Sequence, residues 1–587
     1  MKNSFTKIAT ALLLVSMSLM WGCGPTPVIE PSYLPQDVKQ SCTINSTDFN
    51  KWYASGTAAQ NGFVLPANSV TFPHRNNCDF YLWSHQMFLW ITSPVSSGQY
   101  KSGNTVLESP VFYTVSPAEN GKRELIPHVP NTPLRVNSHI SQNGPNKLPV
   151  IIDREGRLFE VENSNTNGKV MLLNNAGKQV ELGHIETLEN GLHTFIDKQG
   201  KEIQQPKALL KSKINTLRVV QEFKTNGKSI FLDAQGNTID TEVGQATQDG
   251  LIDQHGSLVY YISMVNDVYA YFLTGGQQGV IDTTTFPTTE GARDSICAFA
   301  RTHGTTLLDS NALAIELKTS WVETTNLPNL GSYITIDAVV PNYDKTNPNK
   351  WIPKGERTTK LALIGMHIVG SADKHPELIW ATFEHRNNAP NASYTYLDST
   401  GRTKTVPKDT GTHWLLSNNA NADSVNHSHI GVSGDTLVGK NGYVIGASNT
   451  LRTKPWGTAN NVVPNAEDVS AAASNSEIIS LNNAINSLLV GNDIRKNYYL
   501  LGATWTKGGH GPNGLAYPAN SMSLNDAIGT SQLANSTMET YFQFDTLYNQ
   551  NGSCFRCHSN SSTQGLYPND LSHIFAETKP LTTFKKK

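Results

Sequence analysis

Charge is scarce in this chain: 16% of its 587 residues are Asp, Glu, Lys or Arg, and the formal net charge is −2. No basic stripe breaks that balance, which excludes nucleic acid as a partner on electrostatic grounds. Long apolar runs are also missing. Beyond residue 20 none approaches the roughly 20 residues that span a bilayer, so any membrane attachment rests on a lipid anchor alone. Cysteine is limited to six residues, and only Cys554 and Cys557 are spaced as C-x-x-C. A zinc site needs a second such ligand pair, and the chain has none. Methionine is absent after His558.

What is plentiful is Asn, Thr, Ser and Gly, the mix of a loop-rich exported β protein, on a length ample for one large core or two. Lys2 and Lys7 precede an apolar stretch from Ile8 to Met20, which makes residues 1–22 a secretory signal, too short to cross a membrane. Cys23 follows directly, in the position of the acylated first residue of a bacterial lipoprotein, which this segment resembles. It departs from that pattern in placing Leu19 four residues before the cysteine and Trp21 two before it. The other processing route is ordinary cleavage, with Cys23 left as a thiol or in a disulfide. The Gly24-Pro25-Thr26-Pro27 tether opens a linker over residues 23–50 and suits an anchor. Both routes place the mature protein outside the cytoplasm, in the periplasm, and the anchored route places it on a membrane. In that oxidising compartment Cys42 and Cys78, in one N-terminal stretch, are the natural bridge, with Cys297 left over as a small hydrophobe. Without lipidation of Cys23, four cysteines allow three pairings that sequence does not rank.

Residues 51–530 read as a β-rich core. Asp79 to Thr92 has the helical spacing of an amphipathic helix (Phe80, Trp83, Met87, Phe88, Ile91), and His85 within it reads as a core or surface histidine. Residues 146–262 form an inserted region in which a short apolar run followed by D-x-x-G recurs, at Asp153, Asp197, Asp233 and Asp253, with a degenerate copy at Asn174. Asp opens a type I turn and Gly takes the left-handed residue that closes a hairpin, so the insertion is expected to be β-hairpins. Calcium-loop spacing is absent. Ile315, Leu317, Thr319 and Trp321 alternate with Glu316, Lys318 and Ser320, the pattern of a half-buried strand. Tyr333 to Val340, Leu361 to Val369, Leu378 to His385 and Tyr498 to Trp505 read as further strands, and Ile478 to Leu489 as a helix begun by Ser476-Glu477. The fold class is therefore α+β and β-rich: an antiparallel, sandwich-like core with peripheral helices, a β-hairpin insertion and a short helical C-terminal segment over residues 531–587.

That last segment carries the most specific signal. Cys554-Phe555-Arg556-Cys557-His558 is a C-x-x-C-H run, in which two thiols each add to a vinyl group of one porphyrin and the adjacent histidine ligates its iron. The competing reading, a redox dithiol, belongs at a helix start near a βαβ pattern, and none is evident. The run thus implies one covalent haem c, with Cys554 and Cys557 as thioether links and His558 as proximal ligand. For the opposite axial position His573 is the one downstream histidine, Met538 and Met522 are upstream alternatives, and an open position is the third. Asn535 or Ser536 is expected to cap a helix through Met538, Tyr541 and Phe542. Only 29 residues follow His558, too few to bury a haem alone, so the β core is expected to supply one wall of its pocket. Elsewhere, His367, Glu384 and His385 would converge near Trp380 if their strands pair. They are candidates for acid–base or metal chemistry, against the plainer reading that they satisfy one another structurally. His427 and His429 flank one serine, a metal signal only if a third ligand joins them.

Residues 554–558 resemble the attachment site of monohaem c-type cytochromes. The larger part is similar to a group of exported bacterial proteins labelled cytochrome c family, through Cys78-Asp79-Phe80 with Trp83 and Phe88-Leu89-Trp90, Ile315-Glu316-Leu317-Lys318 with Trp321, Trp380-Ala381-Thr382-Phe383-Glu384-His385, and Asn535-Ser536-Thr537-Met538-Glu539-Thr540. The resemblance implies that core and haem tail belong together, and no particular reaction. The expected function is one-electron transfer to a redox partner protein. Two rivals stand beside it: a peroxidase- or oxidase-like haem enzyme, and a binding module whose haem is structural or sensory.

Overall fold

The computed structural model describes residues 34–582 except 96–99, 101–103, 118–121, 130–131, 137–145, 147, 149, 153–157, 163–164, 167–168, 188–192, 212–217, 226–227, 240–249, 411–412, 420–423, 434–435, 441–442, 458–469, 516–522, 545–552, 557 and 560–564. Residues 1–22, expected to be a signal, Cys23, the Asp153 turn, Met522, Cys557 and the terminal lysines lie outside the described residues.

The architecture is α+β and β-rich, sandwich-like, with antiparallel sheets and few helices. Its centre is a twelve-stranded sheet. The labels used here are β1 (Phe112–Val115), β2 (Leu125–Pro127), β3 (Tyr260–Asn266), β4 (Ile315–Glu323), β5 (Thr335–Asn347), β6 (Lys350–Ala372), β7 (His375–His385), β8 (Tyr498–Thr506) and β9 (Ala527–Gly529). The strands run β2-β1-β3-β4-β6-β7-β8-β9, all antiparallel along this path, and β5 pairs with β6. The alternation Ile315-x-Leu317-x-Thr319 sends every second β4 side chain to one face. Register with β6 puts Leu317 opposite Ile368 and Thr319 opposite Met366, so that face is continuous and apolar.

Helix α1 (Asn77–Ile91) packs on that face. Asn76 caps it by accepting from Asp79 N–H. Phe88 stacks on Phe383 of β7 with ring centroids 4.4 Å apart, and Phe80 stacks on Trp505 of β8 at 3.8 Å. The expectation of an amphipathic helix is corrected here, because Tyr81, Leu89 and Trp90 on its remaining sides are buried as well. The N-terminal strap encloses them: Val64 N–H donates to Ser93 Oγ, and Cys42 is disulfide-bonded to Cys78. His85 is a core histidine, its ring against Phe383, and burial draws its pKa down to about 3. Helices α2 (Asp267–Gln277) and α3 (Glu290–Thr302) pack together beside the sheet. Cys297, on α3, is half-buried and outside any disulfide.

Helix α4 (Ala471–Leu488) starts five residues before the expected cap, because Ser470 accepts from Ala473 N–H. Residues 471–473 are alanines, strong helix formers without an apolar period. Residues 150–239 hold two five-stranded sheets. The hairpin glycines Gly177, Gly200 and Gly236 have φ of 72°, 80° and 96°, as the D-x-x-G pattern requires. Hairpins alone do not describe the region, since Arg218–Thr225 pairs parallel with Leu158–Glu162. The Asp253 turn packs on the main core through Leu251, Ile252 and Leu258, and β3 belongs to the main sheet.

Candidate functional site

The second face of the sheet is built by the other half of the same alternation. Register aligns three rows across β4, β6 and β7: Glu316, Val369 and Trp380; Lys318, His367 and Thr382; Ser320, Gly365 and Glu384. A half-buried strand predicts solvent over these polar residues. The C-terminal segment covers them instead.

The third row is covered by residues 535–537. Asn535 Nδ2 donates to Thr382 Oγ1 at 2.9 Å, Thr537 Oγ1 and Ser320 Oγ are 2.6 Å apart, and Tyr261 Oη donates to Thr537 O. Ser536 donates its N–H and its hydroxyl to Glu384. The approach is tight enough to need a glycine beneath it: a Cβ on Gly365 would lie 2.6 Å from both Ser320 Oγ and Thr537 Oγ1. The expected helix from Asn535 does not form: Ser536 gives its hydroxyl and its N–H to Glu384, Asn535 Oδ1 accepts from Thr537 N–H two residues on, and a 3₁₀ turn at Thr540–Phe544 follows.

The first row is covered by residues around 558 and 571–575. His558 packs on Trp380 with centroids 4.4 Å apart, and Phe555, fully buried, meets Trp380 edge-on at 5.6 Å. Ser572 Oγ donates to Glu316 Oε2 at 2.7 Å and lies 2.9 Å from Tyr269 Oη. Phe575 packs with Tyr269 and Phe272 of α2. Arg123 and Glu577 pair at 2.7 Å, tying the end of the chain to the loop between β1 and β2.

The middle row is the seam between these two coverings. His367 Nε2 is 2.8 Å from Glu539 Oε1, and the two side chains keep 20% and 25% of their surface exposed in the middle of a covered sheet. Lys318 is also half-buried, and the Glu539 and Glu316 carboxylates interact with it. Burial lowers the Lys318 pKa from its ordinary value and pushes that of Glu316 up to about 7. Burial also acts to raise Glu539, but His367 and Lys318 outweigh it and hold that carboxyl low.

Cys554 and His558 sit at the edge of the first row. Cys554 is half-buried, and His558 N–H bonds to Cys554 O, placing the two residues one helical turn apart. His558 Nδ1 is 3.0 Å from Leu571 O. A carbonyl only accepts, so Nδ1 carries the proton and Nε2 keeps the lone pair that a metal requires. Burial, and then His573 nearby, hold the imidazole neutral. The residues present would fit a haem iron: a neutral, oriented imidazole one turn from Cys554, with Trp380 and Phe555 beside it.

His573 stacks face to face on His558, with centroids 4.1 Å apart and planes 11° off parallel. Two imidazoles across one metal, each bonded at about 2 Å, have centroids roughly 6 Å apart. As placed, His573 is a neighbour of His558, and ligation by both requires His573 to leave this stack. Met538 is buried in a separate apolar cluster with Tyr261, Ile364 and Leu415. The three acid–base candidates do not converge. Glu384 has no exposed surface and pairs with Arg452 at 2.8 Å, taking a further bond from Asn388, so its role is structural. His385 points to the opposite face, stacked on Tyr333 at 3.8 Å, where burial draws its pKa to about 3. Only His367 belongs to the seam. Its carboxylate partner Glu539 and the amine of Lys318 were not singled out from the sequence, although Lys318 stands on the polar face of an alternating strand. His427 bonds to Val425 O and His429 lies against Tyr443; among the described residues no three His, Cys, Asp or Glu side chains gather as a metal cage. Comparison with protein-family models, with curated proteins and with solved structures finds no match to this chain.

Proposed function

We propose that this chain is an exported cytochrome with one covalent haem c, attached through Cys554 and Cys557 with His558 as proximal ligand, and that it works in one-electron transfer with a redox partner protein. The observation that carries the reading is the C-x-x-C-H run. When bound, the group supplies a reversible one-electron couple at iron. The chain's own residues do the rest. Leu571 O accepts from His558 Nδ1 and sets the imidazole tautomer. Trp380, with Phe555 against it, walls one side of the His558 ring. Glu384, through Ser536, fastens the tail to the sheet. The N-terminal signal places the protein in the periplasm, with Cys23 as lipid anchor.

A second reading, a haem-dependent oxidoreductase, draws on the partly exposed His367–Glu539 pair in the seam, which suits proton transfer to a bound substrate. Expression with a c-haem maturation system followed by ligand spectra separates the two. Six-coordinate low-spin iron that ignores cyanide and peroxide supports the carrier. High-spin iron that binds either one supports the enzyme.

A further inference from the structure

The carbonyl that orients His558 belongs to a peptide unit bonded at both ends. Leu571 O lies 3.0 Å from His558 Nδ1, and the N–H of the same unit, that of Ser572, donates to Pro568 O at 2.9 Å across the short helix Pro568–Leu571. A trans peptide is planar with its C=O and N–H pointing opposite ways, so turning that plane loosens both bonds together. The next group along the chain is the Ser572 side chain, and it is held from two sides. Its hydroxyl gives its one proton to Glu316 Oε2 at 2.7 Å, which leaves the Tyr269 hydroxyl, 2.9 Å away, to donate to Ser572 Oγ. Glu316 stands on β4 and Tyr269 on α2, so two separate parts of the core meet on one serine of the tail. Ser572 and Tyr269 are each 1% exposed, and solvent does not compete for these bonds. The residues that follow are seated on α2 as well: Gln277 Nε2 donates to Thr578 O, and Leu581 N–H to Thr274 Oγ1.

A hydrogen bond from Nδ1 to a carbonyl raises the basicity of a ligating imidazole. A more basic ligand favours the more highly charged metal, and hydrogen bonding beyond the ligands is one of the levers on a haem potential. We propose that Ser572, clamped by Glu316 and Tyr269, is a positioning residue for His558: it fixes Leu571 O in line with Nδ1, and by that route the β core sets the reduction potential of the iron. The inference rests on the haem reading above and deepens it. The clamp touches neither the iron nor an exchanging group; it governs how strongly the imidazole donates. Loosening it weakens the Nδ1 bond, makes His558 a poorer ligand to ferric iron and raises the potential.

The test uses full-length protein matured with haem: wild type, Ser572→Ala, Glu316→Gln and Tyr269→Phe. Ser572→Ala removes both clamp bonds and leaves the carboxylate in place. Glu316→Gln removes the charge and keeps an oxygen that accepts from Ser572. Potentiometry gives the midpoint, nuclear magnetic resonance gives the solvent exchange of the His558 Nδ1 proton, and urea denaturation gives stability separately. In Ser572→Ala the one-electron equilibrium is expected to move toward the reduced form by about tenfold, or about 59 mV for one electron, with faster Nδ1 exchange. Tyr269→Phe should shift both in the same direction by less, and Glu316→Gln should stay near wild type. Lower stability of Ser572→Ala at unchanged potential and exchange marks a merely structural contact and overturns the proposal. A shift in Glu316→Gln as large as that in Ser572→Ala assigns the effect to the carboxylate's charge and overturns it too. Should Ser572→Ala fail to fold, Tyr269→Phe decides, and wild-type potential and exchange there contradict the clamp. A wild-type chain that takes up no haem contradicts the function proposed above, an outcome distinct from bound haem whose potential ignores Ser572.

Discussion

Arg452 and Glu384 are both without exposed surface, and their ion pair lies where the C-terminal segment is fastened to the sheet. Arg452→Met keeps much of the side chain's length and removes its charge. Three donors then remain on Glu384, from Ser536 N–H, Ser536 Oγ and Asn388 Nδ2, but no cation. Removing one partner of a buried pair costs about 3–5 kcal/mol, because the other charge is left uncompensated. Asn391 Oδ1 and Ala389 O also lose their donor, which places the cost in the upper half of that range. The double variant Glu384→Leu/Arg452→Met also loses the Asn391 and Ala389 bonds and the Ser536 and Asn388 bonds to Glu384, but it leaves no buried charge uncompensated, so it is expected to be more stable than the single variant. Urea denaturation followed by tryptophan fluorescence and far-UV circular dichroism measures both. A single-variant loss under about 1 kcal/mol, the scale of an exposed pair, would refute the reasoning. A double variant no better than the single would do the same.

Three further expectations concern the frame of the site. Gly365→Ala drives a methyl into Ser320 and Thr537, so it should cost about 1–3 kcal/mol and loosen the tail, read as faster release of the C-terminal segment in limited proteolysis. Unchanged proteolysis would show that residues 535–537 do not press on the sheet as described. Asp253 is buried and its pKa is pushed from 3.8 up to about 7 by that burial. The folded chain therefore holds this proton more tightly than the unfolded one, and stability present below the unfolded value is lost as pH rises to about 7. Asp253→Asn should flatten the decline in denaturation midpoint across that window, by up to roughly 4 kcal/mol; an identical slope contradicts it. Cys42→Ser opens a loop of 36 residues and should cost about 4 kcal/mol by the chain-entropy relation, measured as a lower denaturation midpoint under oxidising conditions. A variant as stable as wild type would show that the bridge does not hold the strap over α1.

Local periodicity made the scaffold legible. Ile315 to Trp321 alternates strictly and is a strand, and the apolar spacing of Phe80, Trp83, Met87 and Phe88 is a helix. What covers each face was not legible, because alternation separates two sides of a strand without saying what lies above either. Glu316, Lys318 and Ser320 read as a wet face for that reason, and the tail that buries them starts more than 200 residues later. Residues 350–360 escaped notice as a strand since their polar side chains stand on an exposed extension of β6 paired with β5. The helix expected at Asn535 failed because Asn, Ser and Thr side chains compete for backbone and neighbour partners, and here the sheet offered better ones. His558 stands out as a candidate ligand from five residues of sequence. The carbonyl of Leu571 that orients it belongs to a contact between segments, and no local pattern encodes it.

The central claim is that the C-x-x-C-H run holds a porphyrin through two thioether bonds. Intact mass together with a pyridine haemochrome spectrum of the protein matured in cells with c-haem assembly tests it most directly. The account predicts a mass increased by one haem that survives acid–acetone extraction, and loss of that increment when Cys554 and Cys557 are both changed to Ser. A colourless wild-type protein with the mass of the bare polypeptide would contradict it.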